Sequence, residues 1–338
     1  MQIKQTLYLT FFFLWAVSTS ANEPLVVYSH RHYAADEELF ASFTESTGIP
    51  VQVLKAGANE LMERLKAEGD RTRADILITA DAGRLEEAKA AGFLAPIQSE
   101  ILESRIPEPY RDADSQWFGF TLRARVLVYA PDRVPVEDLS TYEDLADPKW
   151  RGRLLCRSSN NIYNQSLLAS LIAAHGEDAA LRWARDVRRN MARPPQGSDR
   201  DQIRAVAAGL GDVAIVNTYY LGLLLNSPDP KERELAGPLR IFFPNQEGRG
   251  THVNISGGAV LKSSTQKENA TRLLEFLVSD RAQEVFPAAT FEYPVVEGIE
   301  WSDLQKSWGR FKADDLNLTQ LGGGGKKAVQ LFNLAGWE

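Results

Sequence analysis

Three polar segments that follow apolar runs carry most of the residues that could bind a ligand. The segment NTYYLG, residues 217–222, places Tyr219 and Tyr220 side by side directly after the run DVAIV. Successive side chains of a strand point to opposite faces, so both phenols cannot face one apolar core. HRHY (30–33) follows LVVYS, and SNNIYNQS (159–166) follows GRLLCRS. If the three segments face one another, their tyrosines converge on one site.

Four phenols with a nearby imidazole favour a hard, highly charged cation. A free tyrosine has a pKa near 10, so neutral phenols alone offer only weak hydrogen bonds at neutral pH. A cation favours the phenolate, and hard oxygen donors with one imidazole suit Fe(III). Soft Cu(I) would prefer sulfur ligands, of which the chain has one Cys and three Met. Calcium would require clustered carboxylates, which these segments lack.

Each of these residues also has a simpler interpretation. A single tyrosine at the end of a strand is commonly a packed aromatic with a solvated hydroxyl. Paired aromatic rings could instead stack against a sugar or an organic cation. His30 and His32 alternate on an extended segment and could both be surface residues. The joint pattern of the three segments favours a shared site more than any one member does.

The sequence contains no complete motif for catalysis or for nucleotide binding. GLGDVA (209–214) imitates a dinucleotide fingerprint, but it precedes a predicted strand instead of opening a helix. GGGGKK (322–327) resembles a phosphate loop but lacks the final Ser or Thr. The chain contains neither HExxH nor GxSxG. We therefore predict that the chain has no catalytic residues and that the protein is not an enzyme.

Alternating strands and helices must position these segments. Helices of 3.6-residue periodicity follow most of the short apolar runs, and such a βαβ rhythm predicts an α/β fold with a parallel sheet covered on both faces. Ligands of such sheets bind beyond the carboxyl ends of the strands. The predicted strands are 25–29, 51–54, 74–79, 125–130, 152–158, 211–217 and 257–262. The predicted helices are 36–47, a segment ending near 69, 85–91, 166–176, 180–190, a segment around 203–208, and 268–283.

The length of 338 residues favours two α/β lobes. Short crossing segments are expected near 120–126 and near 246–256. The predicted N-terminal lobe is 22–122 plus about 250–300. The predicted C-terminal lobe is about 123–249 plus 301–338.

Residues 1–21 have the layout of a secretory signal peptide. Lys4 precedes an apolar run from about 7 to 17, and small residues follow up to Ala21. The apolar run is too short to span a bilayer, so no membrane insertion is expected after cleavage. The mature protein is then expected to start near Asn22 and to reside in the periplasm.

Composition excludes further classes of partner and site. The single cysteine, Cys156, allows no intramolecular disulfide and no cysteine-ligated zinc. The formal net charge of −7 is unfavourable for binding nucleic acid or an anionic membrane surface. The chain is therefore expected to fold by packing alone and to bind a small solute.

The chain resembles the periplasmic ferric-ion-binding proteins, the solute receptors of bacterial and cyanobacterial iron ABC importers. Similar stretches occur in order along nearly the whole chain, which makes the resemblance more specific than any one motif. They are VVYSHRHY, ELMERLKAEG, ADILITADAGRL, RARVLVY, LADPKWRGRL, SSNNIYNQS, NTYYLG, NISGGAVLK and AVQLFNLAGW.

The resemblance implies a two-lobed periplasmic binding protein fold of type II, with transferrin-like lobes and the ligand cleft between them. The implied iron ligands are His32, Tyr33, Tyr163, Tyr219 and Tyr220, so the paired phenols of NTYYLG would supply two oxygens to one ion. Whether the ion is Fe(III) or Fe(II) stays open at this point.

The resemblance also implies residues that support the ligands. Relatives that use a carbonate-type anion hold it with an arginine of the RARVLVY motif; Arg123 is the first candidate and Arg125 the second. Alternation along a strand would place both on one face, and without an anion Arg123 would instead neutralise phenolate charge. His30, where relatives commonly have Ser, is expected behind the ligands or at the surface, with Asn161 and Asn164 as further supporting residues.

The predicted function is that of a monomeric periplasmic receptor that delivers iron to the permease of an ABC importer without turnover. The alternative is a receptor of the same fold for an organic cation such as a polyamine or thiamine, which would require acidic residues in the cleft. A third hypothesis is an enzyme with tyrosine-ligated iron, which would require an open coordination position on the iron.

Overall fold

The computed structural model of the protein describes residues 23–31 and 33–337. The predicted signal peptide and the predicted ligand His32 lie outside the described residues. In the part that is described, every helix is too short or too polar to span a lipid bilayer.

In the part of the chain that the structure describes, nine strands form one continuous hydrogen-bonded sheet. The order is β2-β1-β3-β8-β4-β6-β5, and β7 and β9 both pair with β4. The strands are β1 Leu25–Ser29, β2 Val51–Lys55, β3 Ile76–Thr79, β4 Phe118–Tyr129, β5 Leu154–Leu155, β6 Val213–Asn217, β7 Arg240–Phe242, β8 Val253–Val260 and β9 Tyr293–Pro294.

Thirteen α-helices within the described residues surround the sheet. Seven of them follow strands directly along the chain, in agreement with the predicted alternation. They are α1 Ala34–Thr47, α2 Ala58–Glu68, α3 Ala82–Ala90, α4 Glu100–Arg105, α5 Ile162–His175, α6 Glu177–Asn190, α7 Asp199–Ala207, α8 Thr218–Leu225, α9 Pro230–Ala236, α10 Lys267–Leu277, α11 Asp280–Thr290, α12 Asp303–Ser307 and α13 Leu321–Ala335.

The sheet is mixed, so the predicted parallel sheet is wrong in part. Strand β1 pairs in parallel with β2 and β3, and β5 pairs in parallel with β6. Strand β8, however, is antiparallel to both β3 and β4, and β4 is antiparallel to β6. The difference arises because β4 and β8 run between the two halves of the sheet and do not follow a βαβ crossover, which is the connection that makes neighbours parallel.

Strand β4 belongs to both halves of the sheet. Its residues 118–124 pair with β8, and its residues 125–129 pair with β6. We call the part around β1, β2 and β3 the first lobe and the part around β5, β6 and β7 the second lobe. The lobe boundaries expected from the sequence stay a prediction.

Each lobe has apolar clusters on both faces of its sheet, as the predicted covering by helices requires. In the first lobe, Val27 and Phe43 belong to one cluster, while Leu77 and Leu85 belong to another. The second lobe also has two clusters, one of which contains Trp150 and Trp183, and the other Val128, Ile203 and Val216. Complete burial of one such large side chain contributes roughly 1.5–3 kcal/mol.

Several elements differ from their predicted extent. Strand β4 spans Phe118–Tyr129 where 125–130 was predicted, α5 starts at Ile162 where 166 was predicted, and β8 starts at Val253 where 257 was predicted. Two further elements are shortened or divided. The predicted strand 152–158 is hydrogen-bonded only over Leu154–Leu155, because the chain turns toward α5 immediately afterwards. The predicted helix 268–283 is divided into α10 and α11. The break lies at Ser279, whose hydroxyl accepts a hydrogen bond from Ala282 N and so caps a new helix.

Candidate metal centre

A cavity of about 680 Å³ contains all four predicted tyrosines in its wall. Tyr33 belongs to the first lobe, and the other three tyrosines belong to the second. The segments that the sequence analysis singled out therefore meet at one cleft. His30 also lines this cavity.

The tyrosines lie at the beginnings of helices, which corrects the expectation that they lie on loops at strand ends. Tyr33 is the residue that caps α1, and Tyr163 is the second residue of α5. Tyr219 and Tyr220 are the second and third residues of α8, which starts directly after β6. Side chains of a helix lean toward its N-terminus, so short βα connections aim these phenols at the cleft. The positive end of each helix dipole also favours a phenolate there.

The four phenols lie close together, and the rings of Tyr33 and Tyr219 make the contact between the lobes. The Tyr219 hydroxyl donates a hydrogen bond to the Tyr163 hydroxyl at 3.2 Å. The ring centroids of Tyr219 and Tyr220 are 4.2 Å apart, and Tyr33 meets Tyr219 edge-on at 6.3 Å. One ion placed among these oxygens would contact ligands from both lobes.

Burial favours the neutral form of three of these phenols, Tyr33, Tyr219 and Tyr220. It raises the pKa of Tyr33 well above the ordinary value, and the nearby Glu292 carboxylate raises it further. Burial also raises the pKa of Tyr219, with an additional contribution from Tyr163, and it raises the pKa of Tyr220. A cation that binds as expected must therefore displace protons from the tyrosines.

Arg123 and Arg125 lie on the same face of β4, as alternation along a strand predicts. Both are buried, and their Cζ atoms lie 5.9 and 6.0 Å from the centroid of the Tyr163 ring. The Cζ of Arg157 lies at 5.8 Å from the same ring. Three guanidinium groups thus lie within about 6 Å of the Tyr163 ring.

Both arginines of β4 already have hydrogen-bond partners. Arg123 donates to Glu292 at 3.3 Å, to the Ile255 carbonyl at 2.9 Å and to the hydroxyl of Ser256 at 2.5 Å. Arg125 donates to Asp199 at 2.5 Å, and it also donates to Asn164 and Asn217 at 2.7 and 3.1 Å. These bonds fix both guanidinium groups behind the tyrosines.

Glu292 is a central residue of the site that the sequence analysis missed. Its carboxylate accepts hydrogen bonds from Thr121 at 2.6 Å, from Arg31 at 2.8 Å, and from Arg123 and Tyr33 at 3.3 Å each. Burial alone would raise the pKa of Glu292, but Arg31 and Arg123 hold it below the ordinary value. A glutamate before an apolar YPVV run carries no signal of this role in the sequence.

The predicted supporting asparagines act on the backbone and on Arg125. Asn161 caps α5, and its side-chain oxygen accepts a hydrogen bond from Tyr163 N at 3.0 Å. Asn164 donates to the carbonyls of Arg157 and Ser158 at 2.8 and 3.1 Å, so it also fixes the chain before the helix.

The wall of the cleft carries more positive than negative side chains. Arg31, Arg157 and Arg200 line it, and the Cζ of Arg200 lies 6.0 Å from the Tyr220 ring centroid. Glu38 is the one carboxylate among the described residues that line the cavity. In the part of the chain that is described, no group of three or more His, Cys, Asp or Glu side chains could hold a metal ion. A metal at this site therefore depends on the phenols.

Comparison with known proteins identifies the class of this protein. Residues 72–309 match the family described as bacterial extracellular solute-binding protein. Iron uptake protein A1 of Synechocystis sp. is 49% identical over 312 residues, which cover 92% of this chain and 87% of that protein. The major ferric iron-binding protein of Neisseria meningitidis is 29% identical over 280 residues, 82% of each chain.

Solved structures agree with these relatives. The Trichodesmium protein IdiA (FutA), in complex with iron and citrate ligands, superposes with a TM-score of 0.90 at 47% identity, covering 94% of this chain and 100% of that one. For the ferric binding protein from Campylobacter jejuni, the TM-score is 0.89 at 42% identity, with 93% and 100% covered. The chain belongs to the bacterial extracellular solute-binding proteins. Within them it belongs with the periplasmic ferric-ion-binding proteins, so this resemblance and the two-lobed type II fold are confirmed.

Proposed function

We propose that this protein is a periplasmic receptor that binds Fe(III) between its lobes and delivers it to the permease of an ABC importer. The carrying observation is the convergence of four tyrosines on one cleft, with the oxygens of Tyr163 and Tyr219 only 3.2 Å apart. Tyr33, Tyr163, Tyr219 and Tyr220 are the proposed ligands. His32 is the proposed fifth ligand on the strength of the family resemblance, since it lies outside the described residues.

The charge of the site supports Fe(III) over Fe(II). Hard phenolate oxygens match a trivalent ion, and four phenolates exceed its charge by one. Arg123, Arg125, Arg157 and Arg200 add positive charge near Tyr163 and Tyr220, and Glu292 and Asp199 offset part of it. Fe(II) would leave a larger negative excess in a buried site, which costs more free energy.

A small anion is proposed to accompany the metal at the cleft wall. Arg123 and Arg125 are paired with Glu292 and Asp199, so they are less available to contact an anion. Arg157 and Arg200 line the open part of the cavity and are better placed to contact an anion of the carbonate or citrate type. The cavity of about 680 Å³ exceeds the size of a bare ion. The same positive wall argues against an organic cation.

Delivery is proposed to follow the general logic of two-lobed receptors. Ligands from both lobes hold the lobes together around the metal, and a permease that prefers this closed form takes the complex up. The protein acts as a monomer and carries out no catalytic step.

An absorption titration of the mature protein tests this function. Chelated Fe(III) should produce a phenolate-to-iron charge-transfer band that saturates at one equivalent. Tyr219→Phe should lower the iron affinity at least about 100-fold, since loss of even indirect support for a metal ligand commonly costs 10–100-fold. Tyr110→Phe, a tyrosine outside this cleft, is the matched control and should bind like the wild type. Wild-type affinity in the Tyr219 variant would refute the proposed ligand set.

A further inference from the structure

Helix α13 connects the apolar cores of the two lobes. At its N-terminal end, Leu321 packs in the first-lobe cluster that contains Leu77 and Leu85. Farther along the same helix, Leu331 and Phe332 pack in the second-lobe cluster that contains Trp150 and Trp183. The helix is thus anchored in both lobes, and any change in the angle between the lobes acts on the segment between these anchors.

Four successive glycines, residues 322–325, occupy that segment. Glycine is among the least favourable residues in a helix interior, because it loses more conformational freedom than any other residue. This run is called the glycine turn below. Its presence between the two anchors requires a physical reason.

Close packing explains two of the four glycines. A Cβ atom on Gly322 would lie 2.3 Å from Cβ of Glu86 in α3, and one on Gly324 would lie 2.6 Å from Cβ of Ala169 in α5. A Cβ atom on Gly323 or on Gly325 would meet no atom of the described residues within 4 Å, its chain neighbours and the backbone of its own helix apart. Packing therefore allows alanine, a far better helix former, at positions 323 and 325.

The glycine turn also lies beside open space at a seam between the lobes. A second cavity of about 640 Å³ is lined by Gly322, Gly323 and Gly325, together with Asp81 and Ser166. Asp81 precedes α3 in the first lobe, and its carboxylate accepts a hydrogen bond at 2.6 Å from Ser166 in α5 of the second lobe. Helices α3 and α5 would separate here when the lobes open, and the cavity leaves room for the turn to bend.

We propose that the glycine turn is a hinge that lets α13 follow the movement of the lobes. Strand β4 crosses between the lobes as extended chain, which twists easily, whereas a stiff helix anchored in both cores would resist opening. Gly322 and Gly324 permit close contact of the helix with both lobes. Gly323 and Gly325 lower the helical stability of the glycine turn. The proposal rests on the two-lobed fold and is independent of which ligand the cleft binds.

Distance measurements between the lobes of the metal-free protein test the hinge. Spin labels on Glu60→Cys in α2 and Arg185→Cys in α6 report the separation, since both sites are exposed and the native Cys156 is buried. The combined variant Gly323→Ala with Gly325→Ala should reduce the ratio of open to closed molecules about fivefold for each alanine. Gly323→Ala alone should give the smaller of the two effects, and it serves if the combined variant does not fold.

A matched control lies in the same helix outside the glycine turn. Asn333→Ala improves an exposed position in the last turn of α13, so it should raise the melting temperature without changing the distances. Distances in the alanine variants that equal those of the wild type would overturn the hinge. An equal shift in the Asn333 variant would overturn it too, because helix stability in general would then be responsible. Neither result bears on whether the cleft binds iron.

Discussion

The Tyr33 hydroxyl donates a hydrogen bond to the carboxylate of Glu292 at 3.3 Å, although 259 positions separate the two residues in the chain. The same carboxylate forms buried ion pairs with Arg31 at 2.8 Å and with Arg123 at 3.3 Å. Glu292 therefore joins one proposed ligand to the two guanidinium groups behind it. Removing its charge leaves both guanidinium groups without this partner in a buried site.

We expect Glu292→Gln to lower the free energy of unfolding by about 3 kcal/mol at neutral pH, as loss of one partner of a buried ion pair commonly does. Denaturant unfolding measures this value, and Glu297→Gln, an exposed neighbour, is the control. The pKa of Glu292 is lowered in the folded state. Its contribution is therefore complete above the unfolded-state pKa of about 4.3 and is lost as the pH falls through the folded-state value. The difference between wild type and variant should shrink below about pH 4, and a constant difference would contradict this assignment.

Iron binding should release protons and weaken in acid. The pKa values of Tyr33, Tyr219 and Tyr220 are raised by burial, so these phenols are protonated at pH 7. Each one that becomes a ligand gives up a proton, and the logarithm of the affinity should rise with pH by about one per phenol. Titration of Fe(III) into weakly buffered protein, with the released acid measured, checks the number. Release of less than one proton would argue against phenolate ligands.

Arg157 and Arg200 should control the dependence on an accompanying anion. Replacing both with alanine removes two positive groups from the cleft wall, and charge-assisted hydrogen bonds to an anion disappear with them. Citrate or bicarbonate should raise the iron affinity of the wild type by some factor. We expect that factor to be at least about tenfold smaller in this variant. Arg182→Ala, on the exposed surface of α6, is the control. Equal anion dependence in variant and wild type would place the anion elsewhere.

Ser166→Ala should favour separated lobes. The Ser166 hydroxyl donates across the seam to the fully buried Asp81, and losing a partner of a buried charged group costs roughly 1–3 kcal/mol. Ser170 in the same helix donates to the Leu167 carbonyl, one turn away within the same lobe, so Ser170→Ala is the matched control. Small-angle scattering of the metal-free protein should show a larger radius of gyration for the Ser166 variant alone. An unchanged radius in both variants would mean that the Asp81 contact does not hold the lobes.

Tyr293→Phe should be tolerated and stabilising by up to about 1 kcal/mol. The Tyr293 hydroxyl is buried and has no hydrogen-bond partner among the described residues, so phenylalanine removes a desolvated polar group and keeps the ring. The ring packs against Trp301 and Phe311, with centroids 4.7 and 5.2 Å away. Thermal unfolding measures the change. A loss of stability would show that the hydroxyl has a partner.

The sequence predicted the site where the signal is local. An apolar run followed by a tyrosine marks a βα connection, and three such connections identify Tyr33, Tyr163 and the pair after β6. The beginning of α8 at Thr218 was not predicted, because NTYYLG reads equally as a loop and as the first turn of a helix. The place of Glu292 in the site could not be predicted from the sequence pattern, because it depends on how β9 pairs with β4.

The antiparallel orientation of β8 could likewise not be predicted from the sequence pattern. GGAVLK predicted a strand, and the structure contains one, but the pattern of apolar residues is the same for parallel and antiparallel neighbours when both faces are buried. Only the path of the whole chain, which returns from the second lobe along β8, makes it antiparallel to β3.

The sharing of β4 between the two halves of the sheet has a mechanical consequence. Arg123 pairs with Asn254 on the first-lobe side of the strand, and Arg125 is the first residue that pairs with β6 on the other side. The changeover from one lobe to the other thus falls between the two guanidinium groups that flank Tyr163. Any twist of the strand there turns one group away from the other, so we expect the positive field at the proposed ligands to be strongest when the lobes are shut. If iron binds as proposed, opening of the lobes would weaken its binding through both the geometry and the electrostatics of the site.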